Sequence, residues 1–206
     1  AQSDADTYRK ICEKTDFDLK ETERWDNIVA NMHFPYDEEL GIYLQQENFL
    51  DKEIIPAAQL SQEQRPINQH WSWDRILRSC YIKQADTLQG FYFFESDFTD
   101  EELAKHFDFY EPITVHESSL SPCVHAVQAA KLGRTEKAYE MYIRTARLDL
   151  DDYNSEVHEG LHITSMAGTW MAFVEGFGGM RMRHNQLHFN PTLPEHWKGY
   201  AFSIRF

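Results

Sequence analysis

Three short polar clusters hold the side chains with the most chemistry to offer: Lys83-Gln84-Ala85-Asp86, His116-Glu117-Ser118-Ser119 and His162-Ile163-Thr164-Ser165. An ammonium at Lys83, hydroxyls at Ser118 and Ser119 and an imidazole at His162 are donors that suit an anion such as phosphate. Gln84 presents both a donor and an acceptor, which suits vicinal hydroxyls. Trp71 and Trp73 offer flat apolar faces on which a sugar ring can stack. Each of these residues also has a plainer reading. Ser118 or Ser119 caps a helix, Lys83 is a surface charge, His162 is a satisfied core histidine, and the two tryptophans fill a core.

The elements around the clusters decide whether they meet. Residues 1–32 read as helical, with Trp25, Ile28, Val29 and Met32 at helical spacing and Pro35 as the stop. A short strand is expected around LGIYLQQ, followed by a polar, Pro-containing connector from about 51 to 69. Five helices then follow. The first spans about 78–95; the second runs from Thr99, where Thr99 and Glu102 form a capping box, to Tyr110. The third covers about 118–132 and stops at Gly133. The fourth covers about 135–148 with Thr135 as N-cap, and the fifth runs from about 163 to Phe177, ending at Gly178-Gly179. The first, third and fifth are apolar or small around most of their circumference, whereas the second and fourth are amphipathic. That alternation fits a two-layer helical barrel with inner and outer helices, and an ordinary bundle gives similar stripes. Each inner helix is preceded or opened by one of the polar clusters. Parallel inner helices would bring the clusters to one end, where unpaired N–H groups and the helix dipole favour an anion. After Gly179 the period changes to strands at MRMR, QLHFN and AFSIRF, with a turn at His184-Asn185.

Three motifs mimic other sites. His158-Glu159-Gly160-Leu161-His162 matches a zinc-protease pattern, but that chemistry needs both histidines on one helix face, and the helix is expected to start after Gly160. DLDDYN, from Asp149, resembles the opening of a calcium loop but lacks its glycine and its bidentate glutamate. GFGG follows a helix instead of opening one, so it is a stop signal and not a phosphate loop. No metal is expected.

Composition narrows the class. With 34 acidic and 20 basic residues the formal net charge is -14, which opposes binding to nucleic acid or to an anionic membrane. Hydrophobic residues at 42% suffice for a packed core, and no apolar run is long enough for a membrane span. Cys12, Cys80 and Cys123 are odd in number and widely spaced, as expected of free thiols in a cytoplasmic protein.

KQAD, HESSLSP and GLHITSMAGTW, in this order, are similar to glycoside hydrolase family 65, and the likeness extends from about Trp25 to the end of the chain. The resemblance implies a mainly α fold. Residues 1–178 would form the C-terminal half of an (α/α)6 barrel, and residues 179–206 the first strands of a C-terminal β domain. It implies phosphorolysis of an α-linked glucose disaccharide with inversion, giving β-glucose 1-phosphate. Maltose is the first candidate, with kojibiose, nigerose and trehalose as alternatives. Inorganic phosphate is then the co-substrate and no cofactor is needed. Carried over by motif, Lys83 and Gln84 bind glucose, while Ser118, Ser119 and His162 bind phosphate. Glu117 is expected to be structural or to support the ligand-binding residues from behind. The family's catalytic acid lies in an Asn-Glu-Tyr-Glu-type segment that this chain lacks, so the acid is expected upstream and the chain alone is expected to be inactive. Family members are expected to be homodimers. A non-catalytic carbohydrate-binding module is the rival reading.

Overall fold

Thr99 shows how directly local chemistry sets the helices in the computed structural model, which describes residues 4–205. Its hydroxyl accepts from Glu102 N, while Glu102 Oε2 accepts from Thr99 N, so two otherwise unpaired amides are satisfied where a helix begins.

The chain divides into two units, one running to Pro35 and one from Tyr36. The first holds α1 (Ala5–Thr15) and α2 (Lys20–Ala30). The single helical stretch expected there is broken at Asp16, whose φ of 53° ends α1. Asp4 caps α1 by accepting from Thr7 N. Trp25, Ile28 and Val29 do share α2, but all are exposed, and Trp25 stacks on Phe17 at 5.6 Å.

The second unit opens with a two-stranded ladder in the LGIYLQQ region: β1 (Tyr36–Asp37) pairs antiparallel with β2 (Ile42–Tyr43). The connector is loop with three 3-10 turns, leading to α3 (Ile67–His70) and α4 (Trp73–Arg78). The expected first helix is shorter than its pattern. α5 covers only Asp86–Phe93, because Ile82 forms a parallel bridge with Thr114 and so cannot be helical. Lys83, Gln84 and Ala85 therefore precede the helix instead of lying in its opening turns, and only Asp86 opens it. α6 (Asp100–Tyr110), α7 (Ser121–Lys131), α8 (Thr135–Ala146) and α9 (Ile163–Met171) follow, and α9 continues as a π-helical segment over Ala172–Phe177. Two other boundaries differ from expectation. α7 begins three residues after Ser118, and Thr135 is the first residue of α8, with Arg134 at the cap. β3 (Arg181–Arg183) and β4 (Gln186–His188) form a hairpin turned by His184 and Asn185, both at positive φ. AFSIRF is not a strand among the described residues. Phe202 packs instead on Phe173 and Tyr200.

The core is built on α7, whose residues from Ser121 to Ala130 are all buried, and it packs against α5, α8, α9 and the π segment. α6 and α8 are amphipathic as expected. Of the three expected inner helices, however, only α7 is surrounded. α5 leaves Phe93 exposed, and α9 leaves Ile163, Met166 and Trp170 exposed.

Two packing details have consequences for stability. At Gly168 of α9 a Cβ would sit 2.7 Å from Cys123 Cβ and 2.9 Å from its Sγ, so this glycine permits the close approach of α9 to α7. Gly168→Ala therefore lowers stability by about 1–2 kcal/mol, overpacking outweighing the helix-propensity gain of alanine. A urea unfolding midpoint that rose in this variant would contradict the packing. The second detail is a histidine pair in the core. His125 is fully buried with Nδ1 donating to Ser121 O, and its ring lies 4.5 Å from that of His116. Burial depresses the His125 pKa to about 4 and carries His116 well below its usual value. A depressed histidine favours the neutral folded form, so its contribution is complete above the unfolded pKa of about 6.5 and is lost as pH falls toward 4. His125 alone accounts for about 3 kcal/mol across that window. Urea midpoints should fall steadily between pH 7 and pH 4.5, and a flat profile there would refute the assignment.

Candidate functional site

The parallel bridge that shortens α5 also builds the site. Ile82 N donates to Ile113 O and Val115 N donates to Ile82 O, so residues 82–84 run beside residues 114–118. The second strand of this junction is held from behind by Glu117. That carboxylate is buried, pairs with Arg65 Nε at 3.2 Å and accepts from Ile67 N at 2.7 Å. Its oxygens are spent on the connector, in line with the structural role expected of it. Arg65 and Arg144 add bonds to the carbonyls of Val115 and His116.

Along this frame the polar residues at the heads of α5, α7 and α9 touch in sequence. Ser118 Oγ donates to Gln84 Oε1 at 2.9 Å, joining the first cluster to the second. Ser119 Oγ and Thr164 Oγ1 are 2.6 Å apart, joining the second cluster to the third. Neither serine caps α7, since Leu120 holds that position; Ser118 Oγ accepts from Leu120 N and shapes the turn before the helix. Lys83 is exposed and makes no hydrogen bond or ion pair among the described residues, so its ammonium is uncommitted. His162 stands at the N-cap of α9. Its backbone N donates to Asp149 Oδ2 at 2.9 Å, its Nδ1 meets Asp149 Oδ1 at 2.5 Å, and its Nε2 lies 3.8 Å from Glu156 Oε2. Four of the five expected residues are thus placed by hydrogen bonds at the N-terminal ends of neighbouring helices, and Lys83 is tied in only through Gln84.

The tryptophans do not form a paired platform. Trp71 packs against Ile67 and Val115 with the Arg75 guanidinium 3.6 Å over its ring, while Trp73 is exposed on α4. The zinc-like motif is divided as its glycine suggests: His158 lies in a 3-10 turn, Gly160 has φ of 115°, and α9 starts after His162. No group of three metal-ligating side chains occurs among the described residues. The calcium-like segment has other work. Asp149 holds His162, Asp151 pairs with Arg147, and Asp152 accepts from the amides of Glu156 and Val157. Sequence reasoning missed Asp149 and Thr164. Thr164 sits inside GLHITS, and its place one residue from the start of α9 was the available signal.

A cleft of about 690 Å3 lies elsewhere, at the other ends of α5 and α7. Glu95 receives Arg181 at 2.5 Å, Arg183 at 2.8 Å and Lys131 at 3.4 Å there. Burial pushes its carboxyl up, but Arg181 and Lys131 outweigh burial and hold it below the usual range. Those cations are committed to a carboxylate, so the cleft is an ion-paired seam between the helix ends and the β3–β4 hairpin.

Comparison with known proteins bears on both units. Residues 1–171 match the model of the glycosyl hydrolase family 65 central catalytic domain, and residues 180–206 match the glycosyl hydrolase family 65 C-terminal domain. The chain is 54% identical over 186 residues to a maltose phosphorylase of Bacillus subtilis (strain 168), covering 90% of this chain and 25% of that protein. It is 44% identical over 199 residues to an α,α-trehalose phosphorylase of Thermoanaerobacter brockii, covering 97% and 26%. A solved structure assigned as a kojibiose phosphorylase from the human microbiome superposes with a TM-score of 0.82 at 37% identity, over 91% of this chain and 25% of that one. The chain thus spans about a quarter of the length of the relatives it matches.

Proposed function

The chain belongs to glycosyl hydrolase family 65, and from that premise we propose that it supplies the glucose- and phosphate-binding side of an inverting disaccharide phosphorylase. Its fold is mainly helical, part of an (α/α)6 barrel, with a few strands at the C-terminal end. The observation that carries the reading is the run of polar contacts from Gln84 to Ser118 and from Ser119 to Thr164, beside the unpaired Lys83. In inverting cleavage one face of the sugar needs an acid on the leaving oxygen, and the opposite face needs a nucleophile. When phosphate is that nucleophile, a cradle of donors replaces the carboxylate base. Gln84 and Lys83 hold the non-reducing glucose. Ser118, Ser119 and His162 hold phosphate, and Thr164 steadies Ser119. The acid comes from outside this chain, and the complete protein works as a cytoplasmic enzyme on a disaccharide and phosphate, as a homodimer. Among the described residues no helix is long and apolar enough to cross a membrane.

Maltose is the disaccharide we favour, because the maltose phosphorylase shares more identity with this chain than the trehalose phosphorylase does. The test is a panel of maltose, kojibiose, nigerose and trehalose offered to the full-length protein with and without phosphate. Phosphate-dependent consumption of maltose, with the others at least about tenfold slower, is expected. Equal phosphate-independent consumption of any of them would overturn the phosphorylase reading.

A further inference from the structure

We propose that Asp149 is a positioning residue for the phosphate seat, gripping both the backbone N–H and the ring Nδ1–H of His162 so that Nε2 is the nitrogen presented to the anion. The inference rests on the phosphate role proposed above for His162. An ionised carboxylate only accepts hydrogen bonds, so the Nδ1 it holds must carry the hydrogen. Asp149 spends its two oxygens on one residue, Oδ2 on the backbone N at 2.9 Å and Oδ1 on Nδ1 at 2.5 Å. This chelate fixes the rotation of the ring as well as its tautomer. The bond from the His162 backbone, joined by that from its ring, outweighs the opposing effect of burial and holds the Asp149 carboxyl below its ordinary range, so it is ionised at neutral pH.

The loop around Asp149 is built to keep it in place. Arg147 forms two bonds with Asp151, and Asp152 accepts from the amides of Glu156 and Val157, so the turn from the end of α8 to the 3-10 turn is closed by its own side chains. Among the described residues Nε2 makes no hydrogen bond; Glu156 Oε2 lies 3.8 Å from it. As an imidazolium, Nε2–H donates to a phosphate oxygen. As a neutral ring with hydrogen on Nδ1, Nε2 accepts from the P–OH of hydrogen phosphate. Both modes use the same nitrogen: Asp149 keeps the hydrogen on Nδ1 and pairs with the charged ring, so that Nε2 accepts from P–OH when the ring is neutral and donates with charge assistance when it is an imidazolium.

Asp149→Asn in the full-length protein separates this role from simple support. Asparagine can still accept from the His162 backbone through its carbonyl, but its NH2 turns toward Nδ1 and forces the hydrogen onto Nε2. Nitrogen-15 NMR of the histidine rings should show Nδ1–H for His162 in the unsubstituted protein and Nε2–H in the variant. The KM for phosphate should rise about tenfold, because the variant's neutral Nε2–H cannot accept from P–OH and donates without the charge assistance of a ring paired to a carboxylate, with the KM for disaccharide within about twofold. His162→Ala is measured alongside. A raised phosphate KM in His162→Ala with no change in Asp149→Asn would overturn the positioning role and leave the phosphate seat standing. No change in either would overturn both. Should the Asn variant fail to fold, the unsubstituted protein still decides: an Nε2–H tautomer at His162 contradicts the proposal.

Discussion

Replacing His162 with alanine in the full-length protein is expected to raise the KM for phosphate about ten- to hundredfold while leaving that for the disaccharide within about twofold. The size follows from a charge-assisted hydrogen bond to an anion, about 1.5–3 kcal/mol. The selectivity follows from position, since His162 stands at the head of α9 and Gln84 before α5, with the two serines between them. Gln84→Ala should show the converse pattern, weakening the disaccharide and sparing phosphate. Lys83→Ala should weaken both, because an unpaired ammonium beside Gln84 can reach across the boundary between the two ligands. Ser119→Ala should follow His162→Ala in kind but by less, a neutral hydroxyl being worth about half a charged donor. Initial rates with each substrate varied separately measure all four. If His162→Ala raised only the disaccharide KM, the imidazole would belong to the sugar side.

Arg65→Met is expected to cost about 3 kcal/mol of folding stability. Glu117 is 3% exposed and among the described residues is hydrogen-bonded by the Arg65 guanidinium and the Ile67 amide, with the Arg144 charge also acting on it. Removing the arginine strands a buried carboxylate with a single amide donor, and breaking a buried pair from one side is costly even where the intact pair adds little. The same substitution leaves Val115 O with only the longer bond from Arg144, at 3.5 Å. Because Glu117 anchors the strand that carries Ser118 and Ser119, the phosphate KM should rise with the loss of stability. Urea unfolding of the variant gives the first quantity and phosphate titration the second. An unchanged unfolding midpoint would show that Glu117 is not held as described.

Local signals were readable where the chemistry is local. The Thr99–Glu102 box, the stop at Gly133 (φ 70°) and the His184-Asn185 turn all stand where their residue types place them. The three polar clusters were legible as a set, and the structure joins them through Ser118 and Ser119. Features set by distant partners were not legible. Nothing between Ser79 and Lys83 breaks a helix, yet Ile82 is claimed by Thr114 thirty-two residues later. AFSIRF has the alternation of a strand, but alternation cannot supply a neighbour to pair with, and Phe202 finds an aromatic cluster instead. Asp149 looked like half of a failed calcium loop because its partner is thirteen residues away across a turn. Residues 1–32 read as one helix because the apolar spacing outweighs a single aspartate, although Asp16 is a poor helix former that tolerates the left-handed backbone it adopts at the break.

The central claim is that phosphate, and not water, is the nucleophile received at the heads of α5, α7 and α9. The most direct measurement is a proton NMR time course of maltose with the full-length protein, in phosphate and in a phosphate-free buffer of equal pH and ionic strength. The account predicts β-glucose 1-phosphate as the first anomer formed, together with an equal amount of glucose, and no turnover without phosphate. Two moles of glucose per maltose in either buffer, or α-glucose 1-phosphate as the first product, would contradict it.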